Sequence, residues 1–129
     1  MRKAQQTRSL VAAWFDFLPP TEVLAAQAIH KTIRATVSEL TETVRQGNLL
    51  LSMNGEPLLG IAPARNQVNL LVFNGVDVEA TLGPLEGVGR RQRQVAFPSG
   101  SPVDVARVEQ VARVAAELAR RQQSPTDPT

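Results

Sequence analysis

The sequence predicts an α+β fold: a two-layer sandwich in which an antiparallel sheet of about four to six strands packs against two main helices and a short N-terminal helix. Three observations predict it. Apolar residues recur at helical spacing in two long segments, one on each side of the middle of the chain. Between those segments lie β-branched and aliphatic runs broken by turn signals, Asn54-Gly55 above all. A chain of 129 residues suits one core rather than two.

Residues 1–8 are polar and without periodicity, which predicts a loose tail. Ser9 to Phe17 reads as a short helix, with Leu10, Trp14 and Phe17 on one face, and Trp14 is expected to plug the core between sheet and helices. Pro19 and Pro20 end it, because proline lacks the N–H that a continuing helix needs. A long helix then runs from Pro20 or Thr21 to Leu40, its apolar stripe formed by Leu24, Ala28, Ile29, Ile33, Val37 and Leu40. Thr41 to Met53 predicts the first strand, Pro57 to Ala64 the return strand and Val68 to Phe73 the third, joined as a meander. Val76 to Leu85 reads as a loop with a helical turn, and Arg91 to Phe97 as a fourth strand. Ser101 is suited to cap the closing helix, with Pro102 at its first position and Asp104 three residues after the cap. Residues 9–121 thus form one domain, flanked by flexible tails over 1–8 and 122–129.

The composition excludes several functions. With no cysteine there is no disulfide framework, thiolate metal site or cysteine nucleophile, and the single histidine, His30, rules out a His-rich metal site within one chain. The apolar run from Leu10 to Phe15 is too short for a signal peptide core or a membrane span, so the expected location is the cytoplasm. A net charge of only +2 makes nucleic acid an unexpected partner, despite the basic run Arg90-Arg91-Gln92-Arg93. No serine, aspartate or glutamate sits in a recognisable catalytic arrangement, and an enzyme is the less favoured reading.

Several segments, in order, carry a family resemblance: Phe17-Leu18-Pro19-Pro20, Glu42 to Asn48, Ser52 to Leu59, Val68-Asn69-Leu70, and Gly87-Val88-Gly89-Arg90 with Arg93. Together the chain resembles the YdhG-like family of bacterial domains of unknown function, sometimes described as frataxin-like iron-chaperone domains. It departs from the family's usual aromatics at Gln46 and near Leu51. The resemblance implies a frataxin-like sandwich and an accessory domain, non-enzymatic, that binds a small ligand or a protein; the alternative it implies is intracellular iron delivery. Iron needs converging oxygen ligands. The long helix offers only Glu22 and Glu39, with Lys31 and Arg34 between them, and Asp77 and Glu79 are the other close acidic pair. No cofactor is therefore expected, iron being the one the resemblance raises.

The polar residues of the matched segments form the candidate ligand-binding set: Glu42, Arg45, Asn48, Asn69, Arg90 and Arg93. Converging on the open face of the sheet, they would suit a small anionic or amide-bearing ligand, because guanidinium forks pair with carboxylate or phosphate. The structural alternative pairs Glu42 with Arg45 or Arg93 across the sheet and leaves the asparagines to satisfy turns. An uncovered sheet face or edge also leaves a homodimer open.

Overall fold

The computed structural model describes residues 2–123, and the side chains of residues 8–122 among them. In chain order the elements are α1 (Arg2–Asp16), α2 (Pro20–Thr36), β1 (Thr41–Arg45), β2 (Asn48–Met53), β3 (Glu56–Ala64), β4 (Gln67–Val72), α3 (Gly75–Leu82), β5 (Arg93–Pro98) and α4 (Val105–Gln123). The five strands form one antiparallel sheet in sequential order, β1-β2-β3-β4-β5. The α+β architecture expected from the sequence is the observed one.

Register explains which face is buried. Leu49, Leu51, Leu59, Ile61, Leu70 and Val72 occupy paired positions on neighbouring strands and lie on one face. They join Ile29 and Ile33 of α2 and Val108, Val111 and Ala115 of α4 in a single core cluster. Alternate residues turn the other way, as a period of two requires. Leu50 and Leu71 on that opposite face stay outside the cluster and close over Gly60, where an added Cβ would lie 3.2 Å from Leu50 and 3.3 Å from Leu71. Trp14 is in the core as expected, and its Nε1 donates to the Gly47 carbonyl at 2.8 Å, pinning α1 beside the β1–β2 turn.

Several boundaries differ from expectation. The predicted strand 41–53 is two strands, because Gln46 and Gly47 both adopt positive φ, 53° and 82°, and turn the chain back. Such a turn matches strand twist but disfavours a residue with a Cβ. The predicted loop 76–85 contains an eight-residue helix, α3. α2 ends at Thr36 rather than Leu40, where Val37 takes an extended conformation. α4 begins at Val105, and its cap is Asp104 rather than Ser101: the Arg107 N–H donates to Asp104 Oδ1 at 3.1 Å. The segment 2–8, expected to be a loose tail, continues α1 back to Arg2, and residues 122 and 123 continue α4. The expected tail over 124–129 lies outside the described residues, as does Met1. Among the described residues no helix is long and apolar enough to cross a membrane.

Candidate functional site

The six residues singled out from the sequence fall into separate places. Glu42 and Arg93 sit on the helix-facing side of the sheet, on its two opposite edge strands. Arg45, Asn48 and Asn69 occupy the other face, where Asn69 Oδ1 accepts from Gln67 Nε2 at 2.8 Å. Arg90 lies in the exposed loop before β5. They do not form one cluster, and pairing of Glu42 with Arg45 or Arg93 does not occur.

Glu42 is instead bound by α2. Its Oε2 lies 2.9 Å from His30 Nε2 and 3.3 Å from Arg34 Nε. Arg34 Nη1 also donates to the Leu40 carbonyl at 2.6 Å, and the His30 ring meets Phe15 edge-on at 5.2 Å between centroids. The hydrogen bond with His30 holds the Glu42 carboxyl below its ordinary 4.5, the charges of His30 and Arg34 adding to it and burial opposing it. His30, expected to be an ordinary residue at the helix border, is the main partner of this carboxylate. The spacing of His30 and Arg34, one helical turn apart, is the signal that could have shown it.

Arg93 plays a corresponding part at the other edge. Its Nε is 3.2 Å from Glu79 Oε1 but off the line of a hydrogen bond, so the attraction there is electrostatic. Arg93 Nη1 donates to the carbonyls of Gly89, at 2.5 Å, and Gln92, at 2.8 Å, while Glu79 Oε2 accepts from the Leu85 N–H at 2.8 Å. The Val76 N–H donates to the Arg91 carbonyl at 2.9 Å. The loop between α3 and β5 is thereby clipped to α3 on one side and to Arg93 on the other. Gly75 allows this closeness, since a Cβ there would lie 2.4 Å from Arg93 Cβ and 2.6 Å from its backbone N.

Beside this loop opens a cleft of about 680 Å³. Met53, Leu58, Phe73 and Ala119 give it an apolar wall, and the loop contributes Arg90 and Arg91. Neither guanidinium has an intrachain partner among the described residues. Asn74 also lines the cleft. It is 6% exposed, and its Nδ2 donates to the Ala115 carbonyl at 3.1 Å, yet its Oδ1 has no partner. A buried acceptor left unmet costs about 1–3 kcal/mol; among the described residues the only other such side-chain atom is Arg93 Nε, which at least faces the Glu79 carboxylate. In the sequence Asn74 is simply the residue after the third strand, with no ligand-binding motif around it. Its role depends on a helix 41 residues further on, which no local pattern reveals.

A second depression of about 780 Å³ lies between α2 and α4, lined by small residues such as Ala28 and Ala35. Of its three charged residues, Lys31, Glu109 and Arg113, the last two pair with each other at 3.4 Å, and it contains no unmet buried group among the described residues. Among the described residues no three of His, Asp and Glu come together in a way that could hold a metal ion.

No protein-family model matches the chain, and no curated protein matches it. Among solved structures, a protein of the DUF1801 family, YdhG from Bacillus subtilis, superposes with a TM-score of 0.66 over 90% of this chain and 94% of its own, at 11% sequence identity. The resemblance drawn from the sequence segments therefore extends to three dimensions: the chain has a YdhG-like fold.

Proposed function

We propose that the protein is a non-enzymatic accessory domain that binds a small ligand in the cleft between the β2–β3 hairpin, the loop before β5 and the end of α4. The observation that carries this reading is that one concavity is lined by Asn74, whose buried Oδ1 has no partner, and by Arg90 and Arg91, whose guanidiniums have no partner among the described residues. Binding sites combine an apolar wall with a few placed polar groups, and both are present there. The clips around Arg93 hold the loop in position beforehand, which lowers the ordering cost of binding. Of the residues expected from the sequence to touch a ligand, this reading retains Arg90 as a contact and makes Arg93 the post that positions it.

Iron delivery rests on the sequence resemblance alone, and no arrangement of carboxylates among the described residues adds to it. The cleft reading is tested by a fragment screen followed by heteronuclear NMR. Hits should move the signals of Leu58, Phe73, Asn74 and Gly89 together. Hits confined to the α2–α4 groove or to the open face around Asn69 would overturn it.

A further inference from the structure

Resting on the cleft reading above, we infer that the ligand is a small amphipathic anion. Its carboxylate or phosphate head meets Arg90 and Arg91, its apolar body lies against Leu58 and Phe73, and an N–H or O–H of the ligand serves Asn74 Oδ1, directly or through one water.

Charge is the first ground. Arg90 and Arg91 are both exposed and both line the cleft, whereas Glu56 is the only carboxylate among the residues that line it. Four other arginines are engaged by carboxylates: Arg34 with Glu42, Arg93 with Glu79, Arg113 with Glu109 and Arg120 with Glu39. Two unspent guanidiniums next to each other in sequence favour an oxyanion such as a carboxylate or phosphate, which accepts their N–H groups in pairs, and repel a cation.

The second ground is the direction of the Asn74 amide. Its nitrogen already donates one N–H to the Ala115 carbonyl, whereas its Oδ1 has no partner at all, so the group left wholly unmet is an acceptor. A bare anion brings no donor to meet it. The ligand must therefore carry a hydrogen-bond donor besides its charge, or hold a water that donates. The third ground is the wall itself. Leu58 is buried at the base, and Met53, Phe73 and Ala119 continue the apolar surface, which a fully polar ligand such as inorganic phosphate would leave uncovered.

The test is an NMR titration of the full chain with three probes: N-acetyl-leucine, N-acetyl-leucinamide and isopentyl phosphate. The first two share an apolar body and an N–H donor; the second replaces the carboxylate by a neutral carboxamide of the same size. At least one of the two anions should bind about tenfold or more tightly than the amide, the gain expected of a charge-assisted pair, and should move the Asn74 side-chain amide with the backbone of Gly89 to Gln92. Which anion binds more tightly distinguishes a carboxylate from a phosphate ligand. The double variant Arg90→Ala/Arg91→Ala breaks no intrachain side-chain bond and should fold, yet lose that advantage. Equal binding of the amide, or undiminished binding by the double variant, overturns the anion and leaves the cleft reading standing. Silence of the cleft toward all three probes also overturns the anion, and the fragment screen then decides separately whether the cleft binds anything.

Discussion

The two edges of the sheet use the same device and end in opposite conditions. At the β1 edge a strand carboxylate, Glu42, meets the His30 ring and the Arg34 guanidinium from α2, and every polar group named there has a partner. At the β5 edge a strand cation, Arg93, meets a carboxylate from α3 and two loop carbonyls. Beside that second set, however, Asn74 Oδ1 stays unmet and Arg90 and Arg91 have no partner among the described residues. The first arrangement closes an edge. The second uses its bonds to hold a loop in place while leaving neighbouring groups for something outside the chain. Where nearly all buried polar groups are satisfied, the exception is informative.

The largest effect should come from Gly75→Ala, which attacks the frame of the β5 edge. Its new Cβ meets the backbone N of Arg93 at 2.6 Å, and a backbone atom cannot step aside as a side-chain tip can. Urea unfolding should show a loss of about 3 kcal/mol, together with loss of anion binding. Stability close to that of the parent would mean that loop and α3 are not locked together as described.

Glu42→Gln breaks the closed edge instead. The charged hydrogen bond with His30 and the screened attraction of half-exposed Arg34 together suggest a loss of about 2 kcal/mol at neutral pH. Because Glu42 is held below its ordinary 4.5 in the folded protein, it contributes stability that is fully present above that value and lost as pH falls from there through the lower folded value. Parent and variant unfolding curves should therefore converge in acid below pH 4.5. A constant difference down to pH 2 would contradict this. Cleft binding should survive the substitution, because Glu42 lies at the opposite edge.

The smallest stability effect is expected for Asn74→Leu. It removes the amide bond to Ala115 but also the unmet oxygen, and the two should offset to within about 1 kcal/mol. Ligand binding should nevertheless fall sharply. A large loss of stability would show that Asn74 serves the fold rather than a ligand.

The sequence made the sheet legible and left the site mostly hidden. Asn54-Gly55 announced its hairpin, and both residues do adopt positive φ, 52° and 85°. Gln46-Gly47 makes a turn of the same kind with φ values of 53° and 82°, but glutamine is not a residue that favours it, so β1 and β2 read as one strand. Asp104 and Ser101 are both competent caps, and only the course of the chain after Pro98 decides between them. The apolar spacing of α2 found Ile29 and Ile33 in the core, but Leu24, at the head of the same stripe, is 72% exposed while Ala25 and Ala26 are buried. Of the expected α1 face only Trp14 is buried, Leu10 and Phe17 standing exposed; spacing gives a face and not where the partner layer ends. Glu42, Arg93 and Asn69 looked like neighbours because strand residues were pooled without a register. The register separates Asn69 from the other two by face, and Glu42 from Arg93 by the full width of the sheet. Asn74 was unreadable because its environment is assembled from α3, β4 and α4.

The most direct measurement is the response of the asparagine side-chain amides to titration with the tighter-binding of N-acetyl-leucine and isopentyl phosphate, since Asn74 reports on the cleft and Asn48 and Asn69 on the open sheet face. The account predicts a saturable shift at Asn74, in step with Gly89 to Gln92, while Asn48 and Asn69 stay still. Saturable shifts at Asn48 and Asn69 with Asn74 unmoved would place the ligand on the open face and contradict it.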